Sequence, residues 1–118
     1  MGNLTTHILD SAHGCPAAGV RIELFSVGDG DVLAPLGMST TNADGRCDQP
    51  ILEGGDFAAG IYELRFHVGE YFAAKVPNFP EPPFFDVVPV RFGISAPDDH
   101  YHVPLLVSPY AYSTYRGS

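Results

Sequence analysis

His100-Tyr101-His102-Val103-Pro104-Leu105-Leu106-Val107 is the stretch that decides the fold. Side chains two apart on an extended chain point the same way. Tyr101, Val103, Leu105 and Val107 therefore share one wholly apolar face, which must be core. His100, His102, Pro104 and Leu106 share the other, which must be the outside of a sheet. A strand buried on one face only belongs to a sandwich. Beyond it a polar tail, Tyr115-Arg116-Gly117-Ser118, brings a phenol, a guanidinium, a hydroxyl and a terminal carboxylate after a further strand expected from Tyr110 to Arg116.

The same period runs through the rest of the chain. Leu4, Thr6 and Ile8 alternate with Thr5, His7 and Leu9, and Asp10 to Pro16 is a turn or loop. Val20, Ile22 and Leu24 alternate with Arg21 and Glu23, and Gly28-Asp29-Gly30-Asp31 turns the chain into a less regular strand from about Val32 to Thr41. Asn42-Ala43-Asp44-Gly45 is a strong turn signal that delivers Arg46 at its exit. After a break at Gly54-Gly55-Asp56, Tyr62, Leu64, Phe66 and Val68 alternate with Glu63, Arg65 and His67. Glu70 to Lys75 is the one expected helix. The prolines from Pro77 to Pro83 stop any helix or central strand. Phe84 to Ile94 reads as another strand, and Ser95 to Asp99 as a loop. The expectation is all-β: one domain over residues 1–118, an antiparallel β-sandwich of seven to eight strands with one short helix.

Composition narrows the function. With 118 residues, 45% of them hydrophobic and 17% charged, the chain can bury a core and is not a disordered one. The low charge hints at surface covered by a partner subunit. A net charge of -8 without a basic stripe argues against nucleic acid and anionic membranes as partners. Cys15 and Cys47 form no Cys-x-x-Cys pattern, so a thiolate zinc site and a disulfide framework are not expected, and two free thiols are. Met1 to Thr6 matches the loose myristoylation pattern but reads better as a strand start. With no signal-peptide layout and no spanning apolar run, the expected address is cytoplasmic.

If the strands starting near residues 4, 100 and 110 are neighbours, their outer faces gather His7, Leu9, His102, Leu106, Ser113 and Tyr115. An apolar-walled patch with a few convergent polar groups is the usual form of a small-ligand site. Outward Leu9 and Leu106 suggest that ligand or another subunit covers it. Taken singly, each residue has a plainer reading: His13 and His67 as surface residues, Arg46 as a solvated charge, Cys47 as a small buried side chain. A His-x-His pair is also metal-ligand material, but no acidic ligand adjoins it in sequence, so pocket-lining bases are the preferred reading over a metal.

Jointly, the pieces resemble the 5-hydroxyisourate hydrolases, the enzyme branch of the transthyretin-like family. They are Leu4-Thr5-Thr6-His7-Ile8-Leu9-Asp10, the Gly14-to-Val20 turn, Asn42-to-Arg46, His100-to-Leu106 and Tyr112-to-Ser118. His7 with Arg46, His102 and a terminal Tyr-Arg-Gly-Ser is the specific part. In the hormone-carrier branch those positions hold other residues. The resemblance implies a transthyretin-like fold and a homotetramer, a dimer of dimers with active sites in the channel between dimers. It implies no cofactor. The substrate would be 5-hydroxyisourate, opened to 2-oxo-4-hydroxy-4-carboxy-5-ureidoimidazoline in urate breakdown.

That chemistry needs a base for water, donors for an oxyanion and an acid for the leaving nitrogen. His7, Arg46 and His102 are the expected catalytic residues, with the base role open between the two imidazoles and His100 ranked below them. Arg46 would bind substrate oxygen and hold the neighbouring imidazole neutral. Tyr115, Ser118 and Ser113 would contact substrate, and Arg116 or the terminal carboxylate would fix the tail. The rival readings are a transthyretin-like carrier without catalysis, an adhesive sandwich module, and a metal-dependent hydrolase.

Overall fold

The computed structural model describes residues 2–118. Nine strands, β1 (Asn3–Asp10), β2 (Cys15–Pro16), β3 (Arg21–Val27), β4 (Leu33–Thr40), β5 (Leu52–Glu53), β6 (Gly60–Phe66), β7 (Val88–Ile94), β8 (Tyr101–Ser108) and β9 (Ala111–Thr114), accompany one helix, α1 (Val68–Lys75). One sheet runs β2-β1-β8-β9, with β5 paired to the start of β1, and the other runs β4-β3-β6-β7. Met1, which opens the myristoylation-like pattern, lies outside the described residues, and Asn3 is already strand.

The alternation sorts as expected. Leu4, Ile8, Leu105 and Val107 from one sheet are fully buried against Ile22, Leu24, Leu64 and Phe66 from the other, and α1 closes the core with Val68 and Phe72. Each such aliphatic side chain contributes on the order of 1.5–3 kcal/mol by leaving water. Thr6 also points inward, and its hydroxyl donates to Val103 O at 2.6 Å, so the buried polar group is satisfied.

Four expectations need correction. The sandwich is not purely antiparallel: β1 and β8 run parallel, with Leu4 opposite Tyr101 and Asp10 opposite Val107. No hairpin joins these two strands from opposite ends of the chain, so no turn dictates their relative direction. The alternation through Val68 does not extend β6, which ends at Phe66, and the helix begins two residues earlier than Glu70. The strand expected from Phe84 begins at Val88. Before it, Phe85 packs edge-on against Tyr112 with ring centroids 5.2 Å apart, and Phe84 against Tyr110 at 6.0 Å. Finally, β9 stops at Thr114, and after a two-residue break the tail rejoins the edge of β8 at Gly117, opposite His102 and in the same antiparallel register as β9. No helix among the described residues is long and apolar enough to cross a membrane.

Candidate active site

Two strands, one turn and the tail build a cavity of about 370 Å³ lined by Thr5, Thr6, Arg46, Cys47, Gln49, His100, His102 and Ser118. Thr5 stands directly opposite His102 in the parallel pair, so their outward side chains meet. Thr5 Oγ1 lies 2.8 Å from His102 Nδ1.

Arg46 arrives from the Asn42–Gly45 turn. The Asn42 side-chain oxygen accepts from the backbone of Asp44 at 2.9 Å and of Arg46 at 3.2 Å, the usual device by which asparagine closes a turn. Gly45 has φ +74°, and its carbonyl accepts from Ile8 N at 2.8 Å, docking the turn on β1. A Cβ here would sit 2.4 Å from Ile8 O. Only glycine allows this approach. The result is a backbone bridge between His7 and Arg46, which brings the Arg46 charge near enough to act on the first imidazole.

The tail is seated just as closely. Gly117 N donates to His102 O at 2.8 Å, and a Cβ on Gly117 would stand 2.6 Å from His102 Cδ2. Arg116 anchors the segment from outside the cavity, with its guanidinium 4.1 Å above the Tyr101 ring and a hydrogen bond of 3.3 Å to His100 O. Ser118 is thereby brought to the cavity wall.

Electrostatics favours neutral imidazoles. Burial and then the Arg46 charge hold His7 below its ordinary value, outweighing Asp44, which acts the other way. Burial, Arg46, His100 and His7 all lower His102. Both rings are therefore proton acceptors at neutral pH. Burial also pushes the Cys47 thiol up, which keeps it protonated and poorly nucleophilic. Cys15 and Cys47 are both free thiols.

The expected site residues do not all converge. Arg46, His102 and Ser118 line the cavity; His7 does not, and is joined to it only by its backbone bridge to Arg46. Ser113 sits opposite Leu106, in a shallow groove with Ser11, Ala111 and Tyr112. Four residues of β8 separate it from the level of His102, roughly 13 Å at ~3.3 Å per residue. Tyr115 and Arg116 line a different groove, beside Val90, Phe92 and Tyr101. A shared face does not bring residues to one level.

Sequence reasoning missed Thr5 and Gln49. Thr5 carried a signal, since it lies two residues from His7 on the same face. Gln49, brought in by a loop, carried none. His13 and His67 serve the framework: His13 pairs with Asp10 at 2.7 Å and His67 with Glu23 at 2.6 Å. Among the described residues, no three His, Cys, Asp or Glu side chains are grouped to hold a metal ion.

A family model described as HIUase/Transthyretin family matches residues 4–117. The chain belongs to that family. Within it, the chain is 59% identical over 118 residues to a 5-hydroxyisourate hydrolase of Pseudomonas aeruginosa, covering 100% of this chain and 93% of the relative. The solved structure of an (S)-allantoin synthase superposes with a TM-score of 0.91 at 51% identity; 99% of this chain is covered, but only 44% of that one. Sea bream transthyretin in complex with thyroxine superposes with a TM-score of 0.85 at 26% identity, covering 98% and 94% of the two chains. This member of the HIUase/Transthyretin family thus shares its fold with a thyroxine-binding protein and over half its residues with a hydrolase.

Proposed function

We propose that the chain hydrolyses 5-hydroxyisourate to 2-oxo-4-hydroxy-4-carboxy-5-ureidoimidazoline, as the enzyme named by its Pseudomonas aeruginosa relative does its own substrate. The observation that carries the reading is that Arg46 and His102 line one cavity, His7 is joined to Arg46 through the backbone, and burial with the Arg46 charge favours the neutral form of both imidazoles. A carrier needs a complementary channel but no such acid–base set.

In the reaction, one neutral imidazole takes a proton from water, and the hydroxide adds to a ring carbonyl carbon. Arg46 stabilises the oxyanion that forms, a task worth several kcal/mol where solvent is excluded. The C–N bond then breaks, a protonated imidazole supplies the leaving nitrogen, and the ring opens to a carboxylate. Ser118 adds a hydrogen bond to substrate, and Arg116 holds the tail that carries it. Tyr115 and Ser113 would reach substrate only from a second subunit or after movement of the tail.

The same reading makes the protein one domain of a cytoplasmic homotetramer, a dimer of dimers. Supporting it are the half-exposed outer faces of Leu9 and Leu106 and the exposed rings of Phe84, Tyr110 and Tyr112, apolar surface that a second subunit would cover. Fresh 5-hydroxyisourate decays on its own, so the test is its ultraviolet decay with and without protein. Acceleration in proportion to protein supports the hydrolase. Binding without acceleration supports the carrier, and loss of Arg46 should cut the rate at least ~10-fold.

A further inference from the structure

The outer face of β1 carries Asn3, Thr5 and His7 in succession, and the facing stretch carries His100 and His102. Across the two strands their polar atoms form an unbroken chain. Asn3 Oδ1 meets His100 Nδ1. His100 Nε2 is 3.2 Å from Thr5 Oγ1, and the same Oγ1 is 2.8 Å from His102 Nδ1. The two imidazoles lie nearly parallel, 15° apart in plane, with centroids separated by 6.2 Å. A threonine hydroxyl has one proton, so it can donate to only one of them.

The far end of the chain sets the direction. The amide oxygen of Asn3 only accepts, so His100 must donate from Nδ1. A neutral His100 then has a bare Nε2, which accepts the Thr5 proton. Having donated, Thr5 Oγ1 can only accept, and His102 must present Nδ1–H to it. Nε2 of His102 is left with a free lone pair.

We propose that Thr5 and His100 are positioning residues that fix His102 as the proton acceptor and relay its Nδ1 proton outward. The proposal rests on the hydrolase reading of the cavity. As His102 Nε2 takes the proton of the attacking water, Nδ1–H passes to Thr5 Oγ1 while the Thr5 proton passes to His100 Nε2. His102 ends neutral with its proton on Nε2, His100 ends as imidazolium, and the hydroxide is bonded to the substrate carbon. No proton or charge is unaccounted for. Reversal of the same shifts returns a proton through His102 Nε2 to the leaving nitrogen.

The geometry gives the relay a purpose. His102 is half-buried, and the Arg46 charge disfavours a cation there, whereas His100 is exposed and its Nδ1–H is held by Asn3. The positive charge is better carried at the solvent edge than beside the guanidinium.

The test combines a spectrum with kinetics. Nitrogen-15 NMR of the free protein at pH 7.5 or so (roughly one unit above the ordinary His value), with His102 assigned by its loss in His102→Asn, should show the Nδ1–H tautomer. Thr5→Val, which keeps the shape and removes the hydroxyl, should release His102 to the Nε2–H form. It should also lower kcat at least ~10-fold with KM within ~2-fold, while Thr5→Ser restores both tautomer and rate. An Nε2–H His102 in the unaltered protein, or a Thr5→Val variant with tautomer and kcat unchanged, would overturn the proposal. The spectrum needs no turnover, so an inactive protein would sink the hydrolase reading, and a wrong tautomer this proposal.

Discussion

Replacing Gly117 by alanine should disable the site while sparing the fold. The added Cβ would lie 2.6 Å from His102 Cδ2 and 3.4 Å from both His102 Cγ and Pro104 Cγ. The first distance is about 1 Å inside ordinary carbon–carbon contact. Pro104 is buried and its strand is paired on both sides, so the backbone beneath the tail cannot yield. Two responses remain. The His102 ring can be pushed aside, breaking its 2.8 Å contact with Thr5, or the tail can lift, breaking Gly117 N to His102 O and withdrawing Ser118. Either displaces a reacting group by about 1 Å, a shift that can cost on the order of 10²-fold in rate. Stability should change little, since one backbone hydrogen bond is worth about 1 kcal/mol. In a chain of this size that lowers Tm by about 4 °C. The assay is the ultraviolet decay of 5-hydroxyisourate corrected for the spontaneous rate, beside a thermal melt of the same preparation. A Gly117→Ala protein that keeps more than about half its rate would refute the seating of the tail on His102, because a ~10²-fold effect is what the overlap demands.

Gly45→Ala should instead cost stability and rate together. It forces a side chain into left-handed backbone and within 2.4 Å of Ile8 O, about 2–4 kcal/mol in all; urea unfolding would measure it, and a loss below about 1 kcal/mol would contradict the docked turn. Acid should weaken the fold through the site imidazoles. His7 and His102 are lowered by burial and then by Arg46, so the unfolded chain takes up protons first. Their contribution is present above pH ~6.5 and is lost as pH falls below it. Tm followed from pH 8 downward should fall through that range, and His102→Asn should flatten the fall. Asp10, whose side chain is fully buried, accepts from Ala12 N, His13 N, His13 Nδ1 and the Tyr71 hydroxyl. Burial pushes its carboxyl up, but the hydrogen bonds from Tyr71 and His13 outweigh it and the net direction is down. Asp10→Asn should therefore destabilise by about 3 kcal/mol in chemical denaturation, with the rate per folded molecule unchanged.

Period-two patterning identified the long strands and the inward residues, because burial on one face writes itself directly into alternate positions. It also put Thr5, His7 and His102 on outer faces, where the structure has them. Patterning failed wherever the deciding fact was which strand lies beside which. The two-residue strands β2 and β5 are too short to show a period. The parallel pairing of β1 with β8 leaves no local trace. Ser113 shares the expected exterior but not the level of His102, since alternation says nothing about position along a neighbouring strand, and Tyr115, past the end of β9, lies in a groove beside the inward-facing Tyr101 and Val103.

The sequence by itself determined a sandwich core, a turn that must deliver Arg46 and a resemblance strong enough to name a chemistry, because each depends on residues close in the chain or on residue type alone. Tertiary structure alone decided that Thr5 stands opposite His102, that Gly45 and Gly117 press backbone against the two imidazole-bearing strands, and that His100 joins the site while Ser113 does not. The meeting of Thr5 with His102 and His100 rests on the parallel register of β1 on β8, two strands nearly the whole chain apart. Such a register is fixed by how the buried faces interlock across the core, a property of the assembled sheets and of no local segment.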